Sequence, residues 1–286
     1  MTAADRLREA LAGPDLLVVP VICDPLAARL VQQSGLPAAL LGGFGISAMR
    51  YALPDAGLIG FGEVIDQVRN TCAAVPGFPI IADGDTGYGN AMNVRRTVQE
   101  FARAGAACVL IEDQVWPKKC GHLDGKREVI SRAEARMKIR AAVEARANDD
   151  ILIMARTDAR SAIGFDEAMA RCRDFEAEGA DIVFAEALET RAELAAFGGG
   201  FTKATWANMM PKTPETSRAA LRAMGFKVVT YNVLLPAAIY AVRATLSALK
   251  NDDLAAAPPR VTFEQMTALA GLPEYVALEA RYGELN

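Results

Sequence analysis

The residues with the clearest capacity for chemistry lie in one short run, Lys118-Lys119-Cys120-Gly121-His122, which contains the only histidine of the chain. The thiolate is the reactive form of cysteine, and neighbouring cations lower the pKa of a thiol below its free value of about 8.5. The composition of this run therefore indicates a reactive segment. A solvated basic loop with a partly buried Cys120 is the alternative that the local sequence leaves open.

Acidic residues form a second group, in Asp83-Gly84-Asp85-Thr86-Gly87-Tyr88-Gly89 and in Glu112-Asp113. Two carboxylates at alternate positions, with glycines that open the backbone, suit a hard cation that keeps several waters. A divalent cation would also relieve the repulsion between carboxylates that converge on one point. Ligands that are all oxygen favour Mg2+ or Mn2+ over Zn2+. Asp residues that only form turns or cap helices are the alternative.

A third group contains Arg156 in Met154-Ala155-Arg156-Thr157-Asp158, together with Glu186 and Asn208. A guanidinium is suited to hold a substrate carboxylate by two parallel hydrogen bonds. An ion pair of Arg156 with Glu186 or Asp158 is an equally open role, and both roles can hold at once. Asn208 can bind substrate or cap the next helix.

Each of these residues follows a short apolar run, and helix-like segments separate the runs. Apolar strands that alternate with helices predict a parallel sheet covered on its outer face, and eight such units predict a (β/α)8 TIM barrel. Active sites of these barrels lie at the carboxyl ends of the strands. The predicted strands are 16–22, 38–43, 79–83, 108–113, 151–157, 181–187, 201–209 and 227–232.

We expect residues 1–250 to form the barrel and 251–286 to form a linker and one further helix over 262–282. Because a closed barrel has no place for another element, that helix should pack outside it or on another subunit. The connection 114–130 has 17 residues, whereas such loops usually take about 2–6. A long loop that carries reactive groups is typical of a lid. A Schiff base on Lys118 or Lys119 is disfavoured, because barrel aldolases place that lysine on a strand.

Composition excludes several classes of partner. The net charge is −4 and no long basic run is present, so nucleic acid and anionic membranes are poor partners. The longest apolar runs are too short to span a bilayer. The five cysteines are odd in number and lack paired zinc-ligand spacing, which favours a reducing, cytoplasmic location.

Six motifs in order resemble the isocitrate lyase and phosphoenolpyruvate mutase superfamily, over roughly 19–250. Besides the runs above they include Leu53-Pro54-Asp55 and Ala207-Asn208-Met209. The Lys-Lys-Cys-Gly-His run is similar to the lyase branch, which contains the 2,3-dimethylmalate lyases, the petal death protein and the methylisocitrate lyases. The resemblance implies an Mg2+-dependent homotetramer whose last helix swaps between subunits; Mn2+ stays open as the alternative cofactor because of the oxygen ligands.

The resemblance also implies roles for individual residues. Asp85 would bind Mg2+ directly, and Asp83, Glu112 and Asp55 would act through waters. The 2-oxo acid portion would be held by Gly42, Gly43, Arg156 and Asn208. Gly121 would also contact the substrate.

Cys120 would be the acid on the loop. Glu186 and His122 would orient the second carboxylate and the thiol. Lys118, Lys119, Arg156 and His122 would supply positive charge to the developing carbanion. The reaction implied is retro-Claisen cleavage of a 2-alkylmalate or methylisocitrate to a 2-oxo acid and a carboxylate.

Three departures from the family pattern leave the substrate open. Gly42 stands where many members have Ser, the segment 209–213 is shorter than its family version, and Asn232 falls near a position commonly Pro, Ser or Thr. Oxaloacetate hydrolysis or decarboxylation and phosphonate chemistry are alternatives on the same site. A non-catalytic barrel that binds a dicarboxylate is the alternative from another class.

Overall fold

The structure, a computed structural model, describes residues 1–120, 127–146 and 150–283. Eight parallel strands pair in sequence order, and the eighth pairs with the first, so the sheet closes into a barrel. This confirms the predicted TIM-barrel fold. The strands are β1 (Leu17–Ile22), β2 (Ala39–Leu41), β3 (Ile80–Asp83), β4 (Cys108–Glu112), β5 (Leu152–Thr157), β6 (Ile182–Ala185), β7 (Ala204–Met209) and β8 (Val228–Tyr231).

Helices alternate with the strands. Several begin at side-chain caps, such as Asp24, which accepts a hydrogen bond from the backbone of Ala27, and end before a glycine with positive φ, such as Gly105 or Gly179. Those of the first unit are α1 (Ala3–Ala12), α2 (Pro25–Gln33), α3 (Gly43–Tyr51), α4 (Phe61–Ala74), α5 (Ala91–Arg103), α6 (Arg132–Ala145), α7 (Ala159–Ala162), α8 (Phe165–Ala177), α9 (Arg191–Gly198) and α10 (Arg218–Ala223).

Two apolar clusters hold the barrel together. One fills the space between strands and helices, and the other lies inside the barrel around Val19, Met154 and Trp206. Leu7 of α1 is fully buried in the inner cluster. The unpredicted helix α1 therefore contributes to the barrel core, and the carboxyl ends of the strands remain for the site.

A second compact unit, Leu234–Asn286, contains α11 (Leu234–Lys250), a 3-10 turn at Leu254–Ala256, α12 (Phe263–Leu269) and α13 (Leu272–Gly283). The prediction of one helix over 262–282 is wrong, because Gly271 adopts a φ of +95° and ends the first helix. Large apolar side chains of α12 and α13, among them Phe263 and Tyr275, are exposed in the single chain. The exchange of this segment between subunits and the functional division after residue 250 stay predictions.

No helix within the described parts of the chain is both long enough and apolar enough to cross a membrane.

Candidate active site

The acidic group lies where β3 and β4 end. Asp83 closes β3, and its two carboxylate oxygens accept hydrogen bonds from the backbone of Asp85 at 3.1 Å and of Gly43 at 3.0 Å. Asp85 follows with a φ of +47°, which turns the chain sharply between the glycines at 84 and 87. Backbone geometry thus fixes the Asp83 side chain beside that of Asp85.

The glycine pair after β2 makes room for these carboxylates. A Cβ atom on Gly43 would lie 3.2 Å from Asp83 Oδ2 and 3.4 Å from Asp85 Oδ1. A Cβ on Gly42 would lie 3.1 Å from Val21 Cγ1. Glycine therefore lets the amino-terminal end of α3, the positive end of its dipole, approach the acids.

Burial makes the acidic group electrostatically costly. Asp85 is 1% exposed and Glu112 is 3% exposed. Removal from water raises the pKa of Asp85 to about 6, against the opposing charge of Lys118. Burial also raises the pKa of Glu112 well above its usual range, although Arg156 opposes the shift. The group needs positive partners to remain ionised.

Lys118 supplies one of those partners from the 114–130 connection. Its Nζ atom lies 2.6 Å from Asp55 Oδ1 and 2.9 Å from Asp85 Oδ1, and its side chain is 7% exposed. Burial alone would lower the pKa of this ammonium, but the carboxylates around it raise the pKa well above the usual range. A Schiff-base lysine must lose its proton, so these surroundings also argue against that role.

The described part of the loop continues to Cys120, which is partly exposed. The Cys120 N–H donates to the Asp55 carbonyl at 3.2 Å, and Arg127 Nη2 donates to the Cys120 carbonyl at 3.2 Å. Lys119 N–H donates to Gln114 Oε1 at 3.0 Å. The predicted site residues Gly121 and His122 lie outside the described residues.

Arg156 sits opposite the loop, near the end of β5, and is the strand partner of Glu112. Its Nε and Nη2 atoms donate to the two oxygens of Asp158 at 2.8 and 3.0 Å. Its guanidinium also lies 3.4 Å from Glu112 Oε2 and 3.3 Å from Glu186 Oε2. Both ion pairs that the sequence left open are therefore present.

Glu186 and Asn208 form the remaining side of the site. Asn208 Nδ2 lies 3.2 Å from both Glu186 oxygens. Glu186 is 2% exposed and also accepts from the backbone of Ala187 at 3.0 Å. The amide thus contacts the acid, and Ser217 rather than Asn208 caps the next helix, α10.

One cavity of about 100 Å³ brings most of the predicted site residues together. Asp85 and Glu112 are not among its lining residues. Phe44 and Met210 line it without having been predicted, because no sequence signal separates an apolar wall from ordinary core. The lining residues are Val21, Leu40, Gly42, Gly43, Phe44, Asp55, Asp83, Lys118, Lys119, Cys120, Arg156, Glu186, Asn208, Met210 and Asn232.

The donor set fits a divalent cation that prefers oxygen. The Glu112 Oε1 atom is buried and accepts no hydrogen bond from the described part of the protein. Within residues 1–120, 127–146 and 150–283, no three His, Cys, Asp or Glu side chains form a ready-made metal cage. Mg2+ does not need one, because it is usually held by one or two carboxylates together with waters and substrate.

Comparison with known proteins identifies the family of the chain. The family model described as phosphoenolpyruvate phosphomutase matches residues 7–250. The chain is 39% identical to 2,3-dimethylmalate lyase of Eubacterium barkeri, over 99% of each protein. It is 43% identical to 2-methylisocitrate lyase of Aeropyrum pernix, over 79% of this chain and 73% of the relative.

Solved structures match the fold of the chain. The structure of oxaloacetate acetylhydrolase with 3,3-difluorooxalacetate matches with a TM-score of 0.93 at 31% identity, over 99% of this chain and 97% of that one. Phosphonopyruvate hydrolase, in complex with oxalate and Mg2+, matches with a TM-score of 0.87 at 31% identity, over 99% of each chain. The chain therefore belongs to the phosphoenolpyruvate mutase/isocitrate lyase superfamily.

Proposed function

We propose that this protein is an Mg2+-dependent carbon–carbon lyase that cleaves a 2-hydroxy di- or tricarboxylate, of the 2-alkylmalate or methylisocitrate type. The products would be a 2-oxo acid and a second carboxylate. The observation that carries the proposal is one cavity that Cys120 and Arg156 line together with the acids Asp55 and Asp83. The lyases among the relatives support the same class of reaction.

Asp85, with Asp83, Glu112 and Asp55, would hold Mg2+, with Mn2+ as the alternative. When bound, the cation would lower the pKa of the substrate 2-hydroxyl and neutralise its carboxylate. The acids are already held in place, because backbone amides fix Asp83 and an ammonium fixes Asp55.

The strand ends would bind the 2-oxo acid portion of the substrate. Arg156 would contact the substrate carboxylate while Asp158 keeps its guanidinium oriented. Asn208 would donate to a substrate oxygen, and the glycines at 42 and 43 would leave space for the fragment. Glu186 would orient the second carboxylate by way of Arg156 and Asn208.

The loop would complete the reaction. After the 2-hydroxyl loses its proton, the C2–C3 bond breaks and its electron pair passes to the other fragment as a carboxylate-stabilised carbanion. The Cys120 thiol gives its proton to that carbon, and the proton lost from the hydroxyl balances the one the thiol must regain. Lys118 would stabilise the developing negative charge, and His122 would orient the thiol.

Tyr88 is a poor candidate for the base that takes the hydroxyl proton. Burial and the carboxylates of Asp85 and Asp83 raise the pKa of its phenol well above the usual range. The phenol therefore stays neutral near pH 7 and cannot act as an anionic base.

A panel of acids with Mg2+ tests the proposal. Release of a 2-oxo acid should have its highest kcat/KM with 2,3-dimethylmalate or 2-methylisocitrate, among a set that also contains oxaloacetate and phosphonopyruvate. Faster turnover of phosphonopyruvate would contradict the proposal. Thermal stabilisation by oxalate and Mg2+ without turnover of any acid would indicate a dicarboxylate-binding barrel instead.

Oxaloacetate hydrolysis is the second candidate, and one observation favours it. Asn232, which stands near a position that is commonly Pro, Ser or Thr in the family, lines the cavity. A polar amide there could hydrogen-bond a hydrated 2-oxo group. Formation of oxalate and acetate from oxaloacetate in the same panel would identify this activity.

We also propose a cytoplasmic homotetramer in which α12 and α13 pack on a neighbouring subunit. The exposed apolar side chains of both helices support association. Light scattering should give four times the chain mass for the full protein, and a monomer would contradict the assembly.

A further inference from the structure

Arg171, on α8, is a buried cation that the proposed reaction does not use. It is 3% exposed and reaches from the helix layer to the end of the sheet. Its Nη1 atom donates to Asp113 Oδ2 at 3.0 Å and to the Ile130 carbonyl at 2.9 Å, and its Nε atom donates to Glu167 Oε1 at 2.9 Å. Because it is buried and forms these three hydrogen bonds, the Arg171 side chain is held in a fixed position.

The Asp113 carboxylate accepts hydrogen bonds from several groups besides Arg171. Its Oδ2 atom also accepts from Thr157 Oγ1 at 2.6 Å, and its Oδ1 atom accepts from the Asp158 N–H at 2.9 Å. Asp113 follows β4 directly and is 2% exposed. The carboxylate thus joins a helix cation to the backbone at the end of β5.

Asp158 carries the connection to the site. Its side chain is fully buried and accepts two hydrogen bonds from the guanidinium of Arg156. Its backbone N–H is the group that Asp113 holds. A continuous set of hydrogen bonds therefore runs from Arg171 through Asp113 and Asp158 to the arginine that lines the cavity.

The same pair holds the far end of the 114–130 connection. The Ile130 N–H donates to the Asp113 carbonyl at 2.9 Å, and the Ile130 carbonyl accepts from Arg171. Both polar backbone atoms of Ile130 are thereby tied to Asp113 and Arg171. The loop that carries Lys118 and Cys120 returns to the barrel at a point fixed by the network that orients Arg156.

We propose that Arg171 is a positioning residue for the active site, acting through Asp113 on the guanidinium of Arg156 and on the end of the loop. Its effect on turnover rests on the proposed lyase function, whereas its effect on local order does not. Removal of one partner from a buried ion pair is destabilising by itself, so the test needs readouts that a merely structural role would leave unchanged.

Three variants separate the two roles: Arg171→Met, Arg171→Lys and, as a matched control, Glu167→Gln, which removes the other carboxylate partner of Arg171. Arg171→Met should raise KM and the Kd for oxalate with Mg2+ by roughly 10–100-fold, the range that mutation of groups orienting metal ligands produces. Arg171→Lys should recover part of this loss. Glu167→Gln should stay within about threefold of wild type.

Amide hydrogen exchange provides the readout that does not depend on activity. Exchange in the peptides covering 127–131 and 156–160 should accelerate in Arg171→Met and stay unchanged in Glu167→Gln. If Arg171→Met does not fold, Asp113→Asn should show the same two changes, in oxalate affinity and in exchange, and Arg171→Lys should show smaller ones.

A folded Arg171→Met protein with a lowered melting temperature but wild-type oxalate affinity and exchange would overturn the proposal. If wild type turns over none of the acids, the lyase function fails. Exchange and oxalate binding would then still decide the role of Arg171.

Discussion

The two sides of the cavity are held in different ways. On the strand side, Asp83 and Arg156 each have two or more hydrogen bonds that arise from neighbouring strands and the turns after them. On the loop side, the Lys118 ammonium pairs with Asp55 and Asp85, and the backbone of Cys120 forms hydrogen bonds with the Asp55 carbonyl and the Arg127 side chain.

This difference indicates separate roles for the two sides in substrate binding and in the chemical step. The register of the barrel places Glu112 beside Arg156, so the strand side would be preorganised for the proposed 2-oxo acid. Lys118 of the loop side contacts Asp55 and Asp85 through charge. Substrate binding should therefore depend on the strand side, and the chemical step on the loop side.

The largest effect is expected from removing the central acid of the strand side. Asp85→Ala should abolish detectable turnover and also abolish Mn2+ binding, because it deletes the predicted direct ligand. Calorimetry with Mn2+ alone measures the second effect independently of activity. A fully active, EDTA-insensitive Asp85→Ala protein would contradict the proposed metal dependence.

Replacing the two loop lysines should have effects of intermediate size, and the loss of kcat/KM should be larger for Lys118 than for Lys119. Lys118→Met removes an ammonium buried between two carboxylates, and we expect kcat/KM to fall roughly 100-fold, as for other groups that stabilise transition-state charge. Lys119, next in the chain, is exposed, and Lys119→Met should cost less than about tenfold. Steady-state kinetics of the pair would contradict the comparison if both losses were equal.

The smallest effect should come from the edge of the strand side. Asn208→Ala removes the amide 3.2 Å from both Glu186 oxygens, while Arg156 and the Ala187 backbone keep that acid in place. One lost hydrogen bond is worth about 0.5–1.5 kcal/mol, so KM should rise about tenfold or less with kcat nearly unchanged. A larger fall in kcat than rise in KM would place Asn208 in the chemical step instead.

Much of the fold followed from sequence pattern. All eight strands lie within two residues of their predicted bounds except the start of β7, predicted at residue 201 and found at Ala204. There the backbone of Thr202 and Lys203 donates to Glu176 instead of entering the sheet. Helix α1 was missed although Thr2 and Asp5 form a capping box, a signal that could have indicated it.

The sequence predicted which residue types line the candidate site, but it did not predict which side chains pair with one another. Strand ends must meet at one face of a barrel, so the grouping of Asp83 with Arg156 followed from topology. The ion pairs of Lys118 depend on the path of a long loop in space, which no local pattern specifies. Arg171 had no signal at all, because an arginine within an amphipathic helix resembles ordinary surface charge.

The Cys120→Ser variant tests the division between binding and chemistry most directly. Its kcat on the best acid of the panel should fall at least about 100-fold, since a hydroxyl is a much weaker acid than a thiol. Its Kd for oxalate in the presence of Mg2+, measured by calorimetry, should stay within about threefold of wild type. Wild-type turnover, or an oxalate affinity lost in proportion to kcat, would contradict the assignment of Cys120 as the proton donor on the loop.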